Sequence, residues 1–145
     1  MIDKFRGKYR FLSNFYFCLI RCKGQWWKTS EHLFQGTKTT NSEEREKIRK
    51  VQNPADAKMM GRLVQLRPRW DKMKLKMMKE ILRMKFTQDW KLRRRLLATE
   101  DERLVEGNFH HDNFWGKCYC SNCENKVGLN HLGKLLMEIR KELRE

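Results

Sequence analysis

Three features of the sequence predict a helix-dominated α+β fold. Apolar residues recur at three- and four-residue spacing through most of the chain after residue 30. Strand character is confined to the first 29 residues, where aromatic and apolar runs flank Lys23-Gly24. The length of 145 residues suits one compact domain, so residues 1–145 are expected to form a single domain with a short N-terminal β-hairpin.

The elements follow in order. Ser13-Asn14-Phe15-Tyr16-Phe17-Cys18-Leu19-Ile20 reads as extended, Lys23-Gly24 as the turn, and Gln25-Trp26-Trp27-Lys28-Thr29 as the returning strand. On such a strand Cys18, Ile20 and Cys22 share one face. Thr29 or Ser30 can cap the next helix, which runs through Lys38. Ser42-Glu43-Glu44 opens a charged helix to about Val51, with its acids where the helix dipole favours them. Asn53-Pro54 is a cap followed by proline at the first helical position, and that helix is expected to end near Leu66, before Arg67-Pro68. A long helix follows over about Asp71–Phe86. Met73, Met77, Ile81 and Met84 form its stripe, widened by Met78 and Leu82, at the spacing of a buried face. A short helix over about Asp89–Leu97 carries Arg93-Arg94-Arg95, a run that suits either a solvated face or phosphate. Residues 99–128 read as irregular, and a last helix over about 130–144 buries Leu132, Leu135, Leu136, Ile139 and Leu143.

Charge and cysteine usage bound the function. Lys and Arg number 33 against 18 Asp and Glu, a formal net charge of +15, which attracts polyanions and phosphorylated ligands. It does not separate nucleic acid from a free nucleotide. No stretch is apolar for the ~18 residues a membrane span needs, and Met1-Ile2-Asp3-Lys4-Phe5-Arg6 lacks the apolar region of a secretory signal. A cytoplasmic protein with its five cysteines reduced is therefore expected.

Chemistry concentrates in two places. In Ser30-Glu31-His32-Leu33-Phe34-Gln35-Gly36-Thr37-Lys38, helical offsets of four and seven residues bring Glu31, Gln35 and Lys38 onto one face. An acid near an amine suits acid–base or covalent catalysis, although an ordinary ion pair on a solvated face has the same pattern. The second place is the irregular segment, whose length is unusual unless it is functional. It holds Glu106-Gly107-Asn108 and Asp112-Asn113-Phe114-Trp115-Gly116, an acid beside a ring on which a base or sugar could stack, or which could simply plug the core. It also holds Cys118, Cys120 and Cys123, close enough to share a structural zinc whose fourth ligand would be His111, His131 or a distant cysteine. Reduced thiols without metal are the alternative.

Taken in order, Leu12-Ser13-Asn14-Phe15, Ser30 through Lys38, Met60-Gly61-Arg62, Arg69-Trp70-Asp71, Lys85-Phe86, Leu97-Ala98-Thr99, Leu104-Val105-Glu106, Asp112 through Gly116 and Asn130-His131-Leu132-Gly133 resemble the NADAR, or YbiA-like, family. The resemblance spans nearly the whole chain. It implies a compact, α-rich fold with short strands and an N-glycosidic bond hydrolase that needs no cofactor. Two activities are implied: removal of ADP-ribose from modified guanine bases, and cleavage of ribosylamine phosphate intermediates of riboflavin biosynthesis. By motif, the family's site positions fall on Glu31, Lys38, Trp70, Asp112 and Trp115, with Asn14, Gln35, Arg62 and Asn130 at further motif positions. Two departures stand out. The stretch between Glu106 and Asp112 is one residue longer than in the family pattern, and thiols replace a glycine-rich stretch found in many members.

Those implications give an expected division of labour. Glu31, Lys38 and Asp112 would be catalytic, the two carboxylates supporting positive charge on the sugar or activating water. Lys38 would bind phosphate, hold Glu31 ionised, or attack C1 as a neutral amine. Trp70 and Trp115 would stack on base or sugar, and Arg62 would fork onto phosphate, with Asn14, Gln35 and Asn130 also binding substrate. The expected partner is a phosphorylated nucleotide or ADP-ribosylated nucleic acid. A non-catalytic module for nucleic acid or ADP-ribose is the rival from another class, since basic helices and tryptophans would serve it too.

Overall fold

Most helices begin where the sequence supplies an acceptor or a proline for their unpaired first-turn N–H groups. In the computed structural model, which describes residues 1–145, the helices are α1 (Ser30–Thr37), α2 (Ser42–Lys50), α3 (Pro54–Gly61), α4 (Trp70–Gln88), α5 (Trp90–Leu97) and α6 (His131–Arg144). Thr29 caps α1, Asn41 accepts from Glu43 and Glu44 at the start of α2, and Asp89 accepts from Lys91 and Leu92 at α5. The helix-dominated α+β class expected from the sequence is the one observed. The chain divides into two compact units, Asn14–Gln88 and Met1–Ser13 with Asp89–Glu145.

In the Asn14–Gln88 unit, strands β1 (Ile20–Cys22) and β2 (Gln25–Trp27) pair antiparallel, with Ile20 opposite Trp27 and Cys22 opposite Gln25. Lys23 and Gly24 both take positive φ, 51° and 79°, as a tight hairpin turn with the right-handed strand twist requires. The hairpin is shorter than expected. Beyond Trp27 the chain bends into the cap of α1, so residues 13–17 have no strand opposite them, and only the Cys18 N–H still reaches Lys28 O, at 2.9 Å. Helix α3 also stops early, at Gly61, not near Leu66. Leu63 and Leu66 are exposed and bury nothing, while the Arg67 N–H is drawn to Lys38 O at 2.7 Å.

The buried face of α4 is Trp70, Met78, Ile81, Leu82, Lys85 and Phe86. Met73, Met77 and Met84, expected to lead the stripe, are half-buried at its margin. Lys85 takes the position an apolar residue would hold and is 1% exposed. Its Nζ lies 5.2 Å from the Phe86 ring centre and 5.9 Å from that of Tyr16.

In the other unit, Ile2 pairs with the chain at Leu104, its N–H donating to Arg103 O and its carbonyl accepting from Val105. A 3₁₀ turn, Gly7–Leu12, buries Phe11 and Leu12. Helix α6 buries Leu132, Leu135, Leu136, Ile139 and Arg140, and Arg140 is held by Thr99 Oγ1 at 2.9 Å and Glu102 O at 2.8 Å. The Arg93–Arg95 run serves the fold locally: Arg93 donates to Leu143 O, Arg94 lies over Trp90, and Arg95 lies over Phe11 and donates to Lys8 O. The stretch read as irregular contains two brief parallel strands, β3 (Gly107–Asn108) and β4 (Lys117–Cys118), and a 3₁₀ turn at Ser121–Cys123. No helix is long and apolar enough to cross a membrane.

Burial pushes the Lys85 amine down to about 8, against a weaker upward pull from Cys18. Its folded pKa lies below the unfolded value, so between the two the unfolded chain binds more protons and stability rises with pH. Denaturant titrations should show Lys85 adding stability as pH climbs from about 8 toward 10.5. Lys85→Met should remove that part of the slope. An identical slope in the variant would mean that folding does not lower the Lys85 pKa.

Candidate functional site

Every residue of α1 from Ser30 to Gly36 is buried, including an acid, a histidine and an amide. Such a helix is stable only if nearly all of its polar groups find partners. Thr29 Oγ1 accepts the His32 N–H at 3.0 Å and contacts His32 Nδ1 at 2.7 Å. The other ring nitrogen, Nε2, reaches Val51 O at 2.9 Å, an arrangement satisfied by a neutral imidazole protonated on Nε2. Burial lowers the pKa of this histidine, opposed by the Val51 contact and assisted by Lys28. Asn14 completes the helix start. Its carbonyl accepts the Glu31 N–H at 3.0 Å, and its Oδ1 accepts the Ser30 hydroxyl at 2.8 Å.

Glu31 is 7% exposed, and its Oε1 accepts from Gln35 Nε2 at 2.7 Å, the four-residue offset expected on one helix face. The Gln35 carboxamide lies against Gly61 of α3. A Cβ built at Gly61 would sit 1.8 Å from Gln35 Oε1, so only glycine admits the amide there. That Oε1 is buried with no hydrogen-bond partner, a cost of about 1–3 kcal/mol that the packing tolerates in order to hold Gln35 beneath Glu31.

Lys38 closes the column at the end of α1, half-buried, with its Nζ 5.9 Å from the Phe34 ring centre. Burial pushes its amine below the ordinary value of 10.5. Glu31 opposes that shift, and Arg62, Lys58 and Lys74 add to it. Helices α1, α3 and α4, with the residue that follows α3, thus bring one acid and three cations within electrostatic range of Lys38. Trp70, expected to stack on a ligand, is 6% exposed and tilts against Phe34 with ring centres 5.3 Å apart, so it supports the helix that carries Glu31. Asn14, Glu31, Gln35, Lys38, Arg62 and Trp70 all belong to the Asn14–Gln88 unit.

The remaining expected residues belong to the other unit, in the 108–130 segment. Asn108 is buried, and the chain folds around its side chain. Nδ2 donates to Asp112 O at 2.8 Å, and Oδ1 accepts from the His110 and Asp112 N–H groups, both at 3.2 Å. Asp112 Oδ1 in turn accepts from Phe114 N at 3.1 Å and Trp115 N at 2.9 Å, so this carboxylate shapes the turn that carries Trp115. Trp115 is half-buried, edge-on to Phe114 at 4.9 Å and to His131 at 6.5 Å. Asn130 has φ 51°. Its Oδ1 accepts from Glu106 N and its Nδ2 donates to Leu104 O, a structural occupation of both ends of the amide. His111, Cys118, Cys120 and Cys123 gather their donor atoms within 4.8 Å of one another.

Sequence reasoning missed Lys85, Gly61 and Asn108 as determinants. Lys85 had a signal, since it falls on the apolar stripe three and four residues after Leu82 and Ile81. Gly61 had only its place in Met60-Gly61-Arg62, and Asn108 had none, because the groups it organises come together only when the turn closes.

The NADAR domain family matches residues 3–144, across both units. N-glycosidase YbiA of Shigella boydii serotype 4 is 42% identical over 133 residues, covering 90% of this chain and 79% of that protein. N-glycosidase Npun_R5314 of Nostoc punctiforme is 40% identical over 141 residues, covering 94% and 86%. Riboflavin biosynthesis protein VVA0006 of Vibrio vulnificus is 37% identical over 137 residues, 93% of this chain but 36% of that longer protein. Among solved structures, the NMR structure of Escherichia coli YbiA superposes with a TM-score of 0.83 at 39% identity, covering 99% of this chain and 87% of that one.

Gly61→Ala should displace the Gln35 carboxamide and break its bond to Glu31, costing about 1–3 kcal/mol of stability and more in activity than in stability. A fully active variant of unchanged melting temperature would mean the Gly61 contact is dispensable. Because Glu31 holds the Lys38 pKa up and Arg62 pushes it down, Glu31→Gln should move the Lys38 midpoint to lower pH and Arg62→Gln to higher pH. NMR titration of isotope-labelled lysine would read both shifts, and shifts of one common sign would refute this electrostatic arrangement.

Proposed function

This chain belongs to the NADAR family and is an N-glycosidase, and from that premise we propose that it removes ADP-ribose from a modified guanine base or a closely related nucleotide. The observation that carries this reading is the convergence on half-buried Lys38 of the charges of buried Glu31, Arg62, Lys58 and Lys74. Cations at that density suit phosphate, and an ADP-ribose carries two. The formal charge of +15 extends the same preference to a nucleic-acid-linked substrate.

The reaction adds water across the bond between C1 of ribose and the base nitrogen. Hydroxyl goes to C1, and a proton goes to the departing nitrogen. Positive charge develops on the sugar before the new bond forms, and a carboxylate beside C1 stabilises it. We assign Glu31 to that role, pinned by Gln35 so that it need not reorganise. Lys38 holds phosphate when charged. Deprotonated, it can displace the base from C1 and pass through a Schiff base of the opened sugar, which water then releases. Its lowered pKa favours the neutral amine that this second route requires. Asp112 is taken as the second acid and Arg62 as a phosphate ligand. Half-buried Trp115 is taken as the stacking ring, with Trp70 reaching the ligand only through the edge it leaves exposed beside Phe34, while Asn14 and Gln35 position Glu31 and its helix and Asn130 positions the loop that carries Trp115. We take residues 1–145 to act as one NADAR domain, and the free thiols suit a cytoplasmic setting.

A second reading is favoured by the name of the Vibrio relative: cleavage of ribosylamine phosphates in riboflavin biosynthesis. One phosphate would then meet the same cations. Incubation with ADP-ribosyl-guanine DNA and, separately, with ribosylaminopyrimidine phosphates, followed by mass spectrometry of the released sugar, separates the two. Release of ADP-ribose is the expected result, and sugar released only from the pyrimidine substrates would transfer the assignment. Glu31→Gln should cut turnover by about a hundredfold or more while leaving substrate affinity within a few-fold. Borohydride added during turnover should leave a reduced sugar adduct on Lys38 if the imine route operates, and unmodified Lys38 would assign the reaction to direct attack by water.

A further inference from the structure

We propose that His111, Cys118, Cys120 and Cys123 form a structural zinc site that clamps the loop bearing Asp112 and Trp115. The four donors come from two separated stretches, one histidine from the turn around Asn108 and three thiols from β4, the residue just before the next 3₁₀ turn, and the end of that turn. His111 Nδ1 lies 3.3 Å from Cys123 Sγ, 3.4 Å from Cys120 Sγ and 4.0 Å from Cys118 Sγ. A tetrahedral zinc with ordinary bond lengths separates a nitrogen from a sulfur ligand by about 3.6 Å and two sulfurs by about 3.8 Å. The observed nitrogen–sulfur separations therefore need shifts of only a few tenths of an ångström to enclose the ion, and all four donors lie within 4.8 Å of one another.

Three further facts favour a metal over a chance meeting of thiols. His111 has a φ of 68°, a left-handed conformation that histidine adopts at some cost, in the turn that presents its ring to the sulfurs. His131, the other histidine open to this role from sequence, packs its ring on Phe114 at 4.6 Å and takes no part. The loop has little apolar anchorage of its own, since Phe109, His110, His111, Lys117 and Tyr119 are all exposed, while Cys118 and Cys123 are buried. A metal bond to each side of the loop supplies what a core would otherwise supply. All five cysteines are free thiols, so no disulfide does this work.

The donor set selects the ion. Three thiolates and an imidazole suit zinc and reject magnesium, calcium and manganese, which prefer oxygen. Binding forms three Zn–S bonds and one Zn–N bond and releases three thiol protons to solvent. Four protein ligands fill the tetrahedron and leave no position for a catalytic water, so the ion is structural. None of its ligands is assigned a step in glycoside cleavage, so the zinc and the glycosidase readings stand or fall separately.

The full chain, purified without added metal or chelator, should carry one equivalent of zinc through gel filtration by elemental analysis. His111→Ala and Cys120→Ser should each lose most of it, and Cys22→Ser, outside the group, should keep it. X-ray absorption on the wild-type protein gives a reading that does not depend on how the variants fold, with three sulfurs and one nitrogen around zinc expected. Chelation should make the 108–123 loop markedly more sensitive to protease. Less than a tenth of an equivalent (~0.1) in protein as purified and again after incubation with equimolar zinc would overturn the site. So would an absorption spectrum dominated by oxygen and nitrogen ligands, or zinc retained in full by His111→Ala.

Discussion

The burial of one polar helix constrains most of the Asn14–Gln88 unit. Helix α1 places Glu31, His32 and Gln35 out of water, and each buried polar group left without a partner costs about 1–3 kcal/mol. Its surroundings are arranged accordingly. Asn14 closes the helix start, Val51 receives the histidine, Gln35 donates to Glu31, and Gly61 makes room for Gln35. The short hairpin follows from the same demand, because Thr29 must leave β-pairing to cap α1. A carboxylate fixed in this way has its orientation decided before any ligand arrives, which is what the proposed role of Glu31 requires.

The two units hold their polar residues by different means. Around α1 the means is helix packing, with Phe34 and Trp70 in contact and α4 presenting a broad apolar face. In the 108–130 segment regular backbone pairing is scarce, and asparagine side chains take over. Asn108 organises the turn before Asp112, Asn113 accepts from the Cys118 N–H, and Asn130 ties Glu106 to Leu104. A carboxamide offers donors and acceptors together and so can replace a strand neighbour on both sides. Such a network rigidifies a loop only when complete, which is why a metal clamp beside it would matter.

Electrostatics and burial act together on the two unusual lysines. Lys85 is lowered chiefly by loss of water, within a sleeve of aromatic rings. Lys38 is lowered by burial and neighbouring cations, and Glu31 restrains the shift. Only the second is acted on by several neighbouring charges of both signs, and this separates the two lysines more clearly than either pKa alone.

Much of this was legible in the sequence. Helical spacing gave the order of the helices, Asn53-Pro54 and Asp89 marked their starts, and the offsets of four and seven residues put Glu31, Gln35 and Lys38 in one column. The ordered motifs gave the family. These are local or periodic properties, written directly into neighbouring residues. The sequence also narrowed the metal question to three thiols and a choice of fourth ligand. The end of α3, the length of the hairpin, the burial of Lys85, the fit of Gln35 against Gly61 and the choice of His111 over His131 belong to the tertiary structure. Each depends on which distant segment arrives alongside, and a repeating pattern along one chain carries no record of the neighbour that will fill or crowd the space beside it.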